Sequence, residues 1–353
     1  MSATTTDGIT HIRAAGTPYE IGRAHGAALA GPLRAFLDDG LARLAHLMPG
    51  PPTLTGLLPS IAAHRAAVGA ALPDLAEEVA GLADGAGIHP DEAWLLQLRR
   101  ELMGYSKIRT GGDCSTYART GPDGPPVLAQ TVDLNGDLDT HIAVLEVARA
   151  GSARRSLVLS FAGLLGYLGV NSDGLAIGLN LVLGGTWRPG VPPYLAIRHL
   201  LDSASDTEQA LKILADLPLA SSRSLMLCDR ERALYVEHLD GQLRVTEAAP
   251  GELAHTNHFL HPDFAPADEL NVFARNSSLR RLTAARNGLA ALPADAGAED
   301  HFELLAQVPL RVPDRGDVRA ERTVAAAVMF PATGELHLRP GDPALSRTQV
   351  FGL

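Results

Sequence analysis

A thiol, two hydroxyls and a pair of glycines stand together in Gly111-Gly112-Asp113-Cys114-Ser115-Thr116-Tyr117. Cys114 is the nucleophile candidate. The two glycines lack a Cβ and tolerate the strained backbone in which a side chain attacks the carbonyl of its own preceding residue. That carbonyl belongs to Asp113. Attack by the Cys114 thiol shifts the acyl group from nitrogen to sulfur, and water then cuts the chain between Asp113 and Cys114. The new chain begins with a cysteine whose α-amino group, with an ordinary pKa of about 7.7 to 8.0, is close enough to act as its general base. The plainer reading is a glycine turn leading into a strand, with a cysteine that is buried and inert.

Such chemistry needs the cysteine at the head of a strand, and the pattern changes from helical to alternating at that point. Upstream, Ile9 to Ala14 fits a short strand, Thr17 suits an N-cap and Pro18 a first helical turn, while Gly22 and Gly26 share a helix face that lets another element approach. Helical patterns follow over Leu33 to Leu47, Leu57 to Val68, Pro73 to Gly85 and His89 to Met103. Cys114 to Arg119 and Val127 to Asp133 flank the turn formers Gly121-Pro122-Asp123-Gly124, which predicts a hairpin. Strands are expected at His141 to Arg149, Leu157 to Phe161, Leu168 to Asn171 and Leu175 to Leu181, and helices at Tyr194 to Asp202 and Thr207 to Leu214. Strands resume at Ser224 to Cys228, Ala233 to His238, Gln242 to Thr246 and Leu253 to Thr256. Helices at Asn271 to Ala291 and Glu299 to Ala306 precede a closing pair, Thr323 to Phe330 and Glu335 to Leu338. Short strands with Gly-rich turns, grouped between groups of helices, predict an α+β fold of stacked, mostly antiparallel sheets under helix layers. No internal repeat or linker divides the chain.

The 353 residues are 46% hydrophobic and 20% charged, the balance of a globular protein. A net charge of -10 without a Lys/Arg run argues against nucleic acid as a partner. No apolar run approaches a membrane span, and the polar Met1 to Asp7 lacks signal-peptide character, so the cytoplasm is the expected compartment. The two cysteines, Cys114 and Cys228, form no disulfide framework or metal-ligand spacing, and Cys228 sits in an apolar strand-like run.

Taken with the hairpin, six short motifs in order resemble the acyl-coenzyme A:isopenicillin-N acyltransferase family of N-terminal-nucleophile hydrolases, related more distantly to bile salt hydrolases and penicillin V acylases. They are Gly16, Pro18, Glu20, Gly22, His25 and Gly26; Asp113 to Thr116; Asp133; Asn171-Ser172-Asp173-Gly174-Leu175 running to Asn180; Thr256-Asn257-His258; and Asn276 to Arg280. The resemblance runs from Gly16 nearly to the C-terminus. It implies an αββα sandwich, self-cleavage before Cys114 and two fragments, 1–113 (an N-terminal helical segment) and 114–353 (the catalytic core), that stay associated as one compact domain. It departs at Thr131-Val132-Asp133-Leu134, where many relatives carry Asn-Trp-Asp-Trp; the aspartate is present and the aromatic walls are not.

On this reading Asp133 holds the α-amine or thiol of Cys114, Asn257 donates to the oxyanion, with Asn180 a second donor for the same pocket, and Arg280 presents a cation that favours the thiolate. Arg275 and Arg281 are close enough in sequence to replace Arg280. Thr116 assists the first cleavage. Each has a plainer alternative: a turn aspartate, loop asparagines, a solvated arginine, a strand threonine. The expected activity is an amide hydrolase or N-acyltransferase, cofactor-free and metal-free, acting on a small-molecule amide or acyl thioester through an acyl-Cys114 intermediate. Its expected partners are that substrate and its own N-terminal fragment; a homo-oligomer is left open. The alternatives are an inactive small-molecule-binding homologue, or an uncut Cys-His amidase using His25, His255 or His258.

Overall fold

The computed structural model describes residues 2–6, 8–104, 114–135, 137–248 and 250–353. Gly111, Gly112 and Asp113, and with them the expected scissile bond, lie outside the described residues.

The chain opens with β1 (Ser2–Thr6) and β2 (Ile9–Gly16), then runs through α1 (Pro18–Ala28), α2 (Ala30–Asp38), α3 (Leu44–Leu47), α4 (Leu54–Ala71), α5 (Pro73–Ala86) and α6 (Pro90–Met103). Thr17 caps α1 as its sequence predicts: its hydroxyl accepts from the Glu20 N–H, and the Glu20 carboxylate accepts from the Thr17 N–H at 2.8 Å. The glycines of α1 act as expected. A Cβ on Gly22 would collide with the Glu78 carbonyl of α5, and one on Gly81 of α5 would collide with the Tyr19 carbonyl. The single helix expected over Leu33 to Leu47 is broken. Gly40, Leu41, Ala42 and Arg43 all take positive φ, between 55° and 63°, and this left-handed turn separates α2 from α3.

After α6 come β3 (Ser115–Thr120), β4 (Val127–Asn135), β5 (Ile142–Arg149), β6 (Arg155–Phe161), β7 (Leu168–Asn171) and β8 (Ala176–Leu181). Next are α7 (Pro193–Ser203), α8 (Thr207–Asp216), β9 (Arg223–Cys228), β10 (Ala233–Leu239), β11 (Gln242–Ala248) and β12 (Gly251–His255). The chain closes with α9 (Val272–Ala291), α10 (Ala298–Leu305), β13 (Glu321–Phe330), β14 (Glu335–Pro340) and β15 (Gln349–Gly352).

Nine strands form one sheet in the order β1-β2-β5-β6-β7-β8-β9-β10-β11, and six form the other, β12-β3-β4-β13-β14-β15. Pairing is antiparallel except between β2 and β5, which run parallel. The region before Cys114 is therefore not purely helical. It lends two strands to the larger sheet, and β2 is an inner one.

The sheets face each other, α1 and α7 lie on the larger, and α9 and α10 cover the smaller. Alternation along β3 sorts its side chains between these layers. Tyr117 packs with Leu282, Leu289 and Phe302 of the outer helices, whereas Ala118 joins the apolar layer between the sheets. Strands buried on both faces read as continuous apolar runs, as Val324 to Met329 does. Among the described residues, no helix is long and apolar enough to cross a membrane.

Candidate active site

Cys114 is the residue immediately before β3, and the β3–β4 hairpin sets Ser115 opposite Thr131. Its side chain is buried and lines a cavity together with Asp133, Leu181 and Tyr167. The Tyr167 hydroxyl lies 3.6 Å from Cys114 Sγ.

Asp133 is fully buried on β4. Opposite it, β13 carries a bulge: Thr323 pairs with Asp133, but the next pairing joins Ala325 to Val132, leaving Val324 as the extra residue. The Thr323 hydroxyl donates to Asp133 Oδ1 at 2.6 Å, and the Val312 N–H in turn donates to Thr323 Oγ1 at 2.9 Å. On the hairpin side, the Thr131 hydroxyl accepts from the Ser115 N–H at 3.2 Å and approaches Asp133 Oδ2 at 3.5 Å. The carboxylate is thus approached by Thr323 of the neighbouring strand β13 and by Thr131 of its own strand, and β3 reaches it only through Thr131.

A second layer grips the Cys114 main chain. Its carbonyl oxygen accepts from Asn180 Nδ2 and from Arg281 Nη1, each at 2.9 Å. Arg281 also donates to Ser115 Oγ at 3.1 Å and, through Nη2, to Asn257 Oδ1 at 2.8 Å. The Asn257 amide donates one hydrogen to the Leu181 carbonyl at 3.0 Å, and its backbone N–H donates to Ser278 Oγ at 2.8 Å. Ser278 on α9 further engages Thr256 Oγ1 at 2.8 Å and His258 Nδ1 at 2.7 Å. Thr256, Asn257 and His258 are in this way moored to one buried serine.

Of the residues singled out in the sequence, Cys114, Asp133, Asn180 and Asn257 converge here. Arg280 does not. It is solvent-exposed on α9, whereas Arg281, 1% exposed, carries the contacts just described. A helix advances about 100° per residue, so Ser278 and Arg281, three apart, share the buried face that Arg280 leaves. Thr116 shares the strand face of Cys114, and its buried hydroxyl has no hydrogen-bond partner among the described residues. Asn171 organises a turn instead: its Oδ1 accepts from the N–H groups of Asp173, Gly174 and Leu175, and its Nδ2 donates to the Leu201 and Ala204 carbonyls.

No histidine lines the cavity among the described residues. His25 is sealed in the α1 interface, where burial, aided by Arg198, lowers it to about 3. His255 donates Nδ1–H to the Thr256 carbonyl at 2.7 Å and meets Glu237 through Nε2 at 2.8 Å. Burial, with His255 and Arg275 adding to it, lowers His258 to about 4. Cys228 is fully buried, and burial pushes its thiol far up. No group of three or more His, Cys, Asp or Glu among the described residues is placed to hold a metal ion.

Tyr167, Thr131 and Thr323 were not anticipated. Thr131 carried a signal, since it lies two residues before Asp133 on the same strand; Thr323 and Tyr167 carried none, because sheet pairing brings the first to Asp133 and tertiary packing brings the second to Cys114.

Residues 119–345 match the family described as acyl-coenzyme A:6-aminopenicillanic acid acyl-transferase. The chain is 29% identical over 268 residues to the acyl-coenzyme A:6-aminopenicillanic-acid-acyltransferase 40 kDa form of Emericella nidulans, covering 74% of this chain and 72% of that one. Among solved structures, penicillin V acylase from Agrobacterium tumefaciens aligns with a TM-score of 0.51 at 16% identity, over 68% of this chain and 86% of the other. A mutant form of conjugated bile acid hydrolase from Clostridium perfringens aligns at a TM-score of 0.47 and 11% identity, over 68% and 92% of the two chains. The acylase likeness bears on fold alone, and with the two stacked sheets between helix layers it makes this an N-terminal-nucleophile-hydrolase sandwich. With the family match spanning well over half of its length, the chain belongs to the acyl-coenzyme A:6-aminopenicillanic acid acyl-transferase family.

Proposed function

We propose that this chain is a self-processing cysteine amidase or acyltransferase that acts on a small-molecule amide or acyl thioester through an acyl-Cys114 intermediate. The observation that carries the reading is the setting of Cys114: a thiol opening into a cavity at the head of a strand, with its own carbonyl held by Asn180 and Arg281. The family match begins at residue 119, five positions after Cys114, so the nucleophile is argued from this geometry and not from the match.

In the first step the Cys114 thiol attacks the Asp113 carbonyl carbon, the peptide nitrogen leaves as the α-amine of Cys114, and water hydrolyses the resulting thioester. The products are fragments 1–113 and 114–353. In turnover the α-amine takes the thiol proton and sulfur attacks the substrate carbonyl. The oxyanion then collapses, and the leaving amine or thiol departs with that proton. Water or an acceptor amine next attacks the thioester, gives its proton to the α-amine and releases the acyl product.

Asp133, pinned by Thr323, orients the ammonium. Asn257 is the oxyanion donor, using the amide hydrogen not given to Leu181. Arg281 takes the part assigned in the sequence to Arg280: a buried cation fixed against the nucleophile's main chain, favouring the thiolate. The Emericella relative, named as an acyltransferase, supports the acyl chemistry.

Mass spectrometry of the intact protein tests this. The expected result is two species, the larger beginning at Cys114 and gaining an acyl mass on incubation with small amides or acyl thioesters. Cys114→Ala should give one uncut chain and no adduct. A single uncut wild-type chain that gains no acyl mass would leave a binding protein of this fold.

A further inference from the structure

Two buried side chains outside the cavity hold charge that the reaction above does not use. Glu237 interrupts the apolar run of β10, and His255 ends β12; both are fully buried. The first belongs to the larger sheet and the second to the smaller, where His255 pairs with Thr116, two residues after Cys114. They meet through His255 Nε2 and Glu237 Oε1 at 2.8 Å.

The directions of the hydrogen bonds fix the proton count. The Thr256 carbonyl is an acceptor only, so its 2.7 Å contact with His255 Nδ1 places a hydrogen on that nitrogen. Besides the ring, Glu237 faces two backbone donors: Oε1 accepts from the Leu260 N–H at 2.6 Å and Oε2 from the His261 N–H at 3.0 Å. Donors gathered on a carboxylate favour its ionised form. Burial pushes this carboxyl up, but the bond to His255, the charge of that ring and the two backbone N–H groups outweigh burial and hold it below the usual carboxylate range. An ionised Glu237 requires a hydrogen on Nε2 as well, which makes His255 an imidazolium. With both nitrogens occupied, the ring is not available as a base.

The bonds of this pair converge on one short segment, Thr256 to His261, which bears Asn257. His255 holds its first carbonyl and Glu237 its last two N–H groups, while Ser278 of α9 holds the Asn257 N–H and the Thr256 hydroxyl. Breaking a buried ion pair strands a charge, so the two partners keep a narrow geometry, and the segment bonded to both inherits it.

We propose that Glu237 and His255 are positioning residues, a carboxylate and an imidazolium that hold the main chain of Thr256 to His261 so that the spare amide hydrogen of Asn257 points at the reacting carbonyl oxygen. The proposal rests on the oxyanion role given to Asn257 above.

Two readouts test it, the first of them without turnover. In uncut Cys114→Ala protein carrying isotope-labelled histidine and asparagine, NMR should show the His255 ring, identified by its loss in His255→Gln, with both nitrogens protonated at neutral pH. Glu237→Gln should leave one of them bare and move the Asn257 side-chain amide signals, which Asn257→Ala identifies. The second readout is a double-mutant cycle in the active enzyme, measured as kcat per titrated site on a small amide. Glu237→Gln should lower kcat by about 10- to 100-fold, less than deletion of an oxyanion donor, with KM unchanged within about twofold. In an Asn257→Ala background the same substitution should cost less than about twofold, because the group it positions is already gone. A merely structural pair would give the same fractional loss in both backgrounds. If Glu237→Gln does not fold, His255→Gln takes its place in the cycle and in the Asn257 readout. A bare His255 nitrogen in the Cys114→Ala protein, an Asn257 amide unmoved by either variant, or equal losses in the two backgrounds overturns the proposal. A wild type without turnover, but with the expected NMR signals, would sink the acyl-Cys114 reading and keep the pair as the anchor of this segment; turnover with a bare nitrogen would do the reverse.

Discussion

Arg198 on α7 and Arg281 on α9 are both shut away from solvent, yet their partners differ in kind. Arg198 forks onto Glu78 of α5 at 2.8 and 3.0 Å and reaches Asp202 through Nε at 3.0 Å. Burial alone would lower its guanidinium, but Asp202 and Glu78 outweigh that and hold it firmly charged. Arg281 touches a carbonyl, a hydroxyl and an amide oxygen, and no carboxylate among the described residues is paired with it. The first arrangement uses its charge to join two helices. The second sets its cation against the main chain of Cys114 with no ion-pair partner among the described residues, an arrangement that suits a site more than a helix-to-helix tie.

The difference can be broken by exchanging the readouts. Glu78→Gln strips Arg198 of half its compensation, so stability should fall by about 3–5 kcal/mol while kcat of the folded fraction holds; denaturant titration and active-site titration report the two. Arg281→Met should do the opposite: kcat/KM drops by about 10²- to 10³-fold, on the scale of losing one preorganised electrostatic contact, with a small change in Tm. Loss of that cation also makes the thiolate harder to form, so the acid limb of the pH–rate profile should move to higher pH. Were Arg281→Met to unfold the protein and Glu78→Gln to silence a well-folded one, the contrast would be wrong.

A third test concerns His25, which burial and then Arg198 keep neutral, at about 3 against an ordinary 6.5. Between those values the unfolded chain binds a proton that the folded chain refuses, so stability rises with pH through this window and is lost as pH falls. His258 and His301, each lowered to about 4 by burial, act in the same direction. His25→Leu should make the acid decline of stability shallower by up to one proton, about 1.36 kcal/mol per pH unit, in denaturant titrations from pH 7 to pH 4. The smallest effect is expected for Arg280→Ala, exposed one residue from Arg281: stability within about 0.5 kcal/mol and unchanged turnover.

That neighbouring pair also marks the limit of sequence reading. The hairpin bearing Cys114 and Asp133 was legible because turn formers and a two-residue period are local properties. On α9 the period misleads: Ser278 and Arg281 are buried, while Val272, Phe273 and Leu279 are exposed, so polarity does not announce the inner face. Nor does it announce a left-handed turn built from Leu41, Ala42 and Arg43, residues with no particular preference for that conformation. Strands β1 and β15 escaped notice because each is short and owes its existence to a neighbouring strand. The β13 bulge that brings Thr323 to Asp133 is likewise a property of pairing, absent from either strand alone.

Strand β2 has a consequence for how the protein must be made and handled. It is laced into the larger sheet by pairings that run from Thr10–Ala143 to Gly16–Arg149, and β1 shields its other edge. A break ahead of Cys114 would therefore leave the early part of the polypeptide woven into the later part, with no detachable propeptide to shed. Refolding the two pieces from separate preparations should be inefficient, because the later piece alone would present β5 as a bare sheet edge, open to pairing with another copy of itself. Continuity of the chain matters for assembly, and ceases to matter once the sheet has closed.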